Sequence, residues 1–166
     1  DYFSDLRRLE VSPITAVHIW FDRQVTDLDY AAILGRTIQW VFNQRIREGP
    51  SKSPGSGSYL GLVISASDEL MKLPQQQIID RAVNELRGLF PAVHDAKLLK
   101  AIVVKEGRAT FAPKPGCDCR RPGPVSPIHN LFIAGDWTQT GWPATMEGAV
   151  RSGYQAAEAV LAFVDT

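Results

Sequence analysis

The chain has 166 residues, 45 % hydrophobic and 22 % charged, which suits one ordinary domain or two small lobes and excludes a disordered tail. Eighteen Lys and Arg balance eighteen Asp and Glu, so no strong field draws the chain to nucleic acid or to an anionic membrane. No apolar stretch reaches bilayer length, and the two cysteines, Cys117 and Cys119, sit too close for an unstrained mutual disulfide, which points to a reducing, cytoplasmic setting.

In chain order, the opening DYFSDLRRLEVSPITAVHIW lacks an initiator methionine and a signal-peptide profile, and runs quickly into a strand, as expected of a fragment of a longer protein. ITAVHIWF (14–21) is dense in β-branched and aromatic residues and predicts that strand. FDRQVTDLDY (21–30) is a polar excursion with room for a turn. AAILGRTIQWVFN (31–43) predicts one strand, or two short ones broken near Gly35. Ile38, Trp40 and Phe42 alternate there with Thr37, Gln39, Val41 and Asn43. REGPSKSPGSGS (47–58) is nearly all Gly, Pro, Ser and charge, the composition of a solvated, mobile loop. YLGLVISAS (59–67) predicts the next strand.

PQQQIIDRAVNELRGLF (74–90) is the clearest helix of this half. Pro74 fits its first turn, where no backbone donor is lost, and Ile78, Ala82, Val83, Leu86 and Phe90 share one face before Pro91 ends it. AKLLKAIVVKE (96–106) predicts a strand, central in its sheet given Ile102, Val103 and Val104. APKPGCDCRRPGPVSP (112–127) is dense in Pro and Gly and predicts an extended surface link. NLFIAG (130–135) predicts a short buried strand, and a final helix is expected from Pro143 to about Ala162. Strands around one helix, followed by strand–loop–helix, predict an α+β fold with an α/β-type end.

That last unit carries the candidate chemistry. A strand would deliver Gly135 and Asp136 at its carboxyl end, where ligands of open α/β sheets sit. Gly135 has no Cβ to keep a ligand away, and Asp136 can accept hydrogen bonds from hydroxyls. The following helix opens with unpartnered N–H groups of partial positive charge. Its small-residue face (Met146, Ala149, Val150, Gly153, Ala156, Ala157, Val160) predicts close packing on a sheet. The set suits a ligand with hydroxyls, phosphates and an electron-accepting ring that becomes anionic.

NLFIAGDWTQTGWPATMEGAVRSGYQAAEAV, with AGD and MEGAVRSG at this spacing, resembles the C-terminal signature of the flavin-containing amine oxidase and phytoene desaturase superfamily. The resemblance implies that Gly135 and Asp136 contact the pyrophosphate and ribityl part of FAD. It implies that the Met146 N–H meets the pyrimidine edge of the flavin, with Pro143, Ala144 and Thr145 lining the same turn. Such a helix end would stabilise negative charge on the N1/O2 edge. Upstream, SPITAVHIWFDRQV, GRTIQWVFN and ATFAPKPG with RPGP look like the squalene-associated FAD-dependent desaturase branch, which includes hydroxysqualene dehydroxylases.

By that likeness, 1–112 form part of a substrate domain, a mixed sheet with helices around a long apolar substrate, and 113–166 form a C-terminal FAD-binding element. No G-x-G-x-x-G turn leads from a strand into a helix: in GSGSYLG (55–61) the third glycine comes one residue late and a strand follows. An N-terminal FAD-binding domain is therefore the expected missing partner, without which this piece would neither retain FAD nor act. The implied reaction is desaturation or reductive dehydroxylation of a squalene- or carotenoid-like isoprenoid, with peripheral membrane contact by the full-length protein. One alternative is a flavin amine oxidase, whose members commonly place an aromatic residue where this chain has Thr145. Another is a non-catalytic apolar-ligand or partner-binding module, with an exposed apolar patch above about 600 Å² around 131–160.

Other residues read more plainly. Cys117, Cys119 and His129 lack zinc-site spacing, so no metal is expected. His18 reads as a satisfied histidine inside a strand, and Met146 as a core residue acting through its backbone. Arg120 and Arg121 read as a solvated pair, although the resemblance puts a similarly placed Arg-Pro near the cofactor. Glu147 reads as a helix N-terminal acid, and one of Trp137 and Trp142 as packing. No side chain stands out as a catalytic acid or base.

Overall fold

A computed structural model describes residues 2–44 and 57–165. Most of the expected loop at 47–58, and the first residues of GSGSYLG, lie outside the described residues. Two compact units form: Ser12–Ala109, and the remainder, up to Val11 and from Thr110 onward.

The first unit is built on a five-stranded sheet. Its strands are β1 (Val11–Phe21), β2 (Tyr30–Ala32), β3 (Trp40–Asn43), β4 (Tyr59–Ser65) and β5 (Leu98–Phe111), in the spatial order β2-β3-β4-β1-β5. Val17 faces Leu62 and Leu62 faces Val41 across antiparallel pairs. The period of two sends Thr15, Val17, Ile19 and Phe21 of β1 to one face, where Leu60, Leu62 and Ile64 of β4 join them. Full burial of side chains such as Ile19 or Leu62 stabilises the fold by about 1.5–3 kcal/mol each.

Two helices complete this core, α2 (Asp68–Met71) and α3 (Gln75–Leu89). Ile78, Ala82, Val83 and Leu86, at helical spacing, and Leu70 of α2 enter the same cluster as the sheet's inner face. Pro74 sits at the N-cap of α3 in extended conformation, and the Phe90 N–H closes the last turn on the Leu86 carbonyl.

The expected break near Gly35 is present. Gly35 has φ +69°, a left-handed conformation that glycine adopts without strain, and the chain turns there between β2 and β3. Glu85 of α3 satisfies the connector: its carboxylate accepts the amides of Thr37 (3.0 Å) and Ile38 (2.9 Å).

Two expectations about strands need correction. β5 is an edge strand, not a central one. Val103 is buried, but Ile102 and Val104 stay exposed, and Lys100, Glu106 and Arg108 along the strand suit a solvated border. The segment 130–135 contributes one isolated bridge, Val125 with Phe132, and Leu131 is exposed. A buried strand needs neighbours for its backbone groups, and here the Ile133 N–H goes to the Pro124 carbonyl and the Gly135 N–H to the Ser152 hydroxyl.

The second unit holds α1 (Tyr2–Leu6), a 3₁₀ turn at Asp118–Arg120 and the long helix α4 (Met146–Val164). Pro143 does not open α4; Thr145 is its N-cap. The face expected to pack is largely open, with Met146 89 % and Val150 55 % exposed. Gly148 and Ser152, on another stripe, are the buried residues of α4. Among the described residues of this unit the helix packs on the 132–143 segment, with Ser152 hydrogen-bonded to Gly135 and Phe163 edge-on to Phe132.

Candidate functional site

The turn at Gly135 is braced from three sides. Gly135 has φ +153°, and a Cβ there would lie 2.3 Å from the Trp137 indole nitrogen. Its bareness therefore serves Trp137, which fills the space that the sequence suggested a ligand would use. Trp137 is the packing tryptophan. The Thr138 N–H and hydroxyl both donate to the Gly135 carbonyl, at 3.0 and 2.8 Å. The Gly135 N–H donates to Ser152 Oγ (2.8 Å), whose hydroxyl donates to the Ala149 carbonyl (2.6 Å), so the turn is tied to α4.

Asp136 follows, half-buried. Its carboxylate makes no hydrogen bond or ion pair among the described residues. Its backbone carbonyl does: Arg121 Nη2 donates to it at 3.0 Å. Arg121 Nε reaches the Trp137 carbonyl (3.4 Å), Nη1 reaches Asp118 Oδ1 (3.1 Å), and the guanidinium lies over the Phe111 ring. Only 4 % of this side chain is exposed. The solvated-pair reading thus holds for Arg120 alone. The available signal was the resemblance, which puts an Arg-Pro of this kind near the cofactor; Pro122 is buried beside Arg121.

The opening of α4 supplies donors. The Thr145 hydroxyl accepts the Gly148 N–H (3.2 Å), and the Thr145 carbonyl accepts the Ala149 N–H (2.9 Å). Two of the early amides are thus capped internally. Those of Met146 and Glu147 have no partner among the described residues, and they lie at the positive end of a helix of 19 residues. Gly148 allows this turn to close, because a Cβ there would lie 2.6 Å from the Pro143 carbonyl oxygen. Pro143 and Thr145 are exposed and Ala144 is half-buried. The Met146 side chain is open rather than in a core. Glu147 pairs with Arg151 at 2.8 Å, and Arg151 covers the Trp142 ring at 4.4 Å.

The structure therefore ties Gly135 to α4 and wraps Pro143, Ala144, Thr145 and Met146 around its first turn, while no hydrogen bond joins Asp136 to those four. In the other unit, the sheet face opposite the core carries an aromatic cluster that the sequence reading missed. Trp20 stacks on Tyr59 at 4.4 Å between ring centres, and Trp40 stacks on Phe42 at 5.8 Å. His18 Nδ1 is 2.9 Å from the Tyr59 hydroxyl, and Lys100 caps Trp20. The register that makes Trp20 and Tyr59 direct partners was not readable before the strands were paired.

The family model for flavin containing amine oxidoreductase matches residues 1–161. The chain belongs to that family. Among curated family relatives, it is similar to zeta-carotene desaturase of Synechocystis sp. (31 % identity, covering 98 % of this chain and 37 % of the relative). It is similar to 15-cis-phytoene desaturase of Solanum lycopersicum (34 %, covering 96 % and 28 %). It is also similar to hydroxysqualene dehydroxylase of Rhodopseudomonas palustris (39 %, covering 78 % and 28 %). The chain spans roughly a third of the length of these relatives. Two solved structures share the fold: an oxidoreductase from Methanosarcina mazei (TM-score 0.65, 17 % identity, 95 % of this chain and 36 % of that one) and reduced UDP-galactopyranose mutase (TM-score 0.64, 10 %, 96 % and 35 %).

The donor set fits the family's cofactor class. Two unpartnered amides at a positive helix end complement the acceptor edge of a flavin, and an unpaired carboxylate complements a hydroxylated chain. Among the described residues no helix is long and apolar enough to cross a membrane.

Proposed function

We propose that this chain is the C-terminal part of an FAD-dependent oxidoreductase acting on a squalene- or carotenoid-like isoprenoid. The observation that carries the reading is the pair of amides left open at Met146 and Glu147, on a turn that the family signature occupies. Bound FAD would supply the redox chemistry, taking up or giving a hydride or electrons. The Met146 and Glu147 N–H groups would donate to the ring's acceptor edge, where the helix end favours negative charge. Asp136 would hold hydroxyls of the ribityl chain, with Gly135 beside it toward the pyrophosphate, and Pro143, Ala144 and Thr145 would line the turn beside the ring.

The names of the relatives support an isoprenoid substrate: they include carotene and phytoene desaturases and hydroxysqualene dehydroxylases. The outer sheet face, with Trp20, Tyr59, Trp40 and Phe42, is a half-exposed apolar wall suited to a long hydrocarbon. Thr145 offers no aromatic wall for an amine. The ADP half of FAD would be held by an N-terminal domain of the same protein, and peripheral contact at the cytoplasmic side of a membrane would deliver so apolar a substrate.

Anaerobic mixing of the full-length protein tests this. Phytoene-like polyenes should bleach the oxidised flavin band, or hydroxysqualene should reoxidise the pre-reduced flavin, while benzylamine does neither. Bleaching by the amine alone would move the protein to the amine oxidases. A full-length protein that binds no flavin would leave a non-catalytic apolar-ligand module.

A further inference from the structure

We propose that Arg121 is the positioning residue of the flavin-contact turn: it orients Asp136 by clamping the carbonyl of the peptide that follows it, together with the next carbonyl, that of Trp137, and so sets affinity for the sugar-alcohol chain of the cofactor. This rests on the flavin reading above.

The geometry is specific to a guanidinium. Its donors fan out in one plane, and here three nitrogens are used on three acceptors: the Asp136 carbonyl at 3.0 Å, the Trp137 carbonyl at 3.4 Å and Asp118 Oδ1 at 3.1 Å. Two consecutive carbonyls held by one rigid plane fix the orientation of two successive peptide groups. The Asp136 carbonyl lies in the peptide that follows Asp136 Cα, and the Gly135 carbonyl, held by the Thr138 N–H and hydroxyl, lies in the peptide before it, so Arg121 and Thr138 together fix where the bond from Asp136 Cα to its side chain points. The Asp136 carboxylate has no partner of its own among the described residues, so the backbone alone aims it. The clamp is itself immobilised, at 4 % side-chain exposure, over the Phe111 ring. Its ionic partner among the described residues, Asp118, is 74 % exposed, so most of what Arg121 does is directed inward at the turn. A second brace, Gln139 N–H to the Pro122 carbonyl at 2.8 Å, keeps the two segments side by side. Lysine would retain the charge but could not span both carbonyls and Asp118 at once.

The test uses the full-length protein, stripped of flavin, with two probes: FAD, and lumiflavin, which has the ring but no ribityl chain. Arg121→Lys should weaken FAD binding about tenfold while leaving lumiflavin binding within about twofold, because the ring contact at Met146 does not pass through Arg121. Asp118→Asn, changed at an exposed position that spares folding, should weaken FAD by a few-fold and lumiflavin not at all. In an Asp136→Ala background the Arg121→Lys effect should largely vanish, since the group it aims is gone. Equal loss of both probes, or full additivity of Arg121→Lys with Asp136→Ala, would overturn the positioning role and leave Arg121 as a general brace. Failure of the unaltered protein to bind either probe would instead sink the flavin reading, and this role with it.

Discussion

At the scale of single residues, Glu85 shows how one carboxylate can organise a connector. It accepts the Thr37 and Ile38 amides, which the turn at Gly35 leaves without ladder partners. Burial pushes its carboxyl up, but the amide hydrogen bonds from Ile38 and Thr37 and the charge of Arg36 pull it further down, so it lies below the ordinary glutamate value. A depressed folded-state pKa means stability that is fully present above the unfolded value, about 4.3, and lost as pH falls through the folded one. Glu85→Gln should lower stability at pH 7 by about 1–3 kcal/mol, the worth of hydrogen bonds to a charged acceptor. Urea unfolding should show the gap between the two proteins narrowing under acid; a constant gap would contradict this account. Thr145 is the second informative residue. Thr145→Ala removes the cap on Gly148 and should cost about 1 kcal/mol, with Thr145→Ser close to neutral, in the same assay.

Among elements, α4 offers an internal comparison between two glycines. Gly153 has nothing within 4 Å of where a Cβ would go, whereas a Cβ at Gly148 would lie 2.6 Å from the Pro143 carbonyl oxygen. Alanine in an open helical position gains about 0.5–1 kcal/mol over glycine. Gly153→Ala should therefore raise the thermal midpoint, and Gly148→Ala should lower it, because the obstructing atom belongs to backbone that must shift. Equal responses would mean that propensity alone governs this helix. Legibility varied between elements for a physical reason. α3 was readable because its apolar residues repeat along one face and Pro74 and Pro91 bound it. β1 and β4 were readable from composition, and a break near Gly35 was one of two readings open for 31–43, which its left-handed φ in the structure decides. The edge position of β5 was not, since Ile102 and Val104 look the same in sequence whether or not a neighbour covers them.

For the molecule as a whole, charge and exposed apolar surface act together. The formal net charge is zero and the sequence pI is about 7.0, so no self-repulsion keeps copies apart near neutrality. Leu131, Val150, Tyr154, Leu161 and Val164 are exposed as well. Solubility of the isolated chain, followed by turbidity across pH, should be lowest near pH 7 and rise on both sides. A minimum far from neutrality would show that residues other than the counted charges dominate. The family itself was legible, since AGD and MEGAVRSG keep their spacing in one continuous stretch and the family model matches residues 1–161. The contacts of the brace behind that stretch were not, because the carbonyls that Arg121 meets are brought to it only when the chain folds back on itself.

Read alone, the amino-acid order determined what is local and periodic: the α+β class, the strands with alternating side chains, the amphipathic α3, and a signature stretch with glycine, acid and helix start in fixed succession. Tertiary structure decided everything that depends on who the distant neighbour is. It buried Gly148 and Ser152 instead of the Met146–Val150 face, gave the space beside Gly135 to Trp137, and turned Arg121 inward onto two carbonyls. The reason is that hydrogen bonds and packing couple residues far apart in sequence, and a linear pattern records each residue's capacity for contact but not its partner.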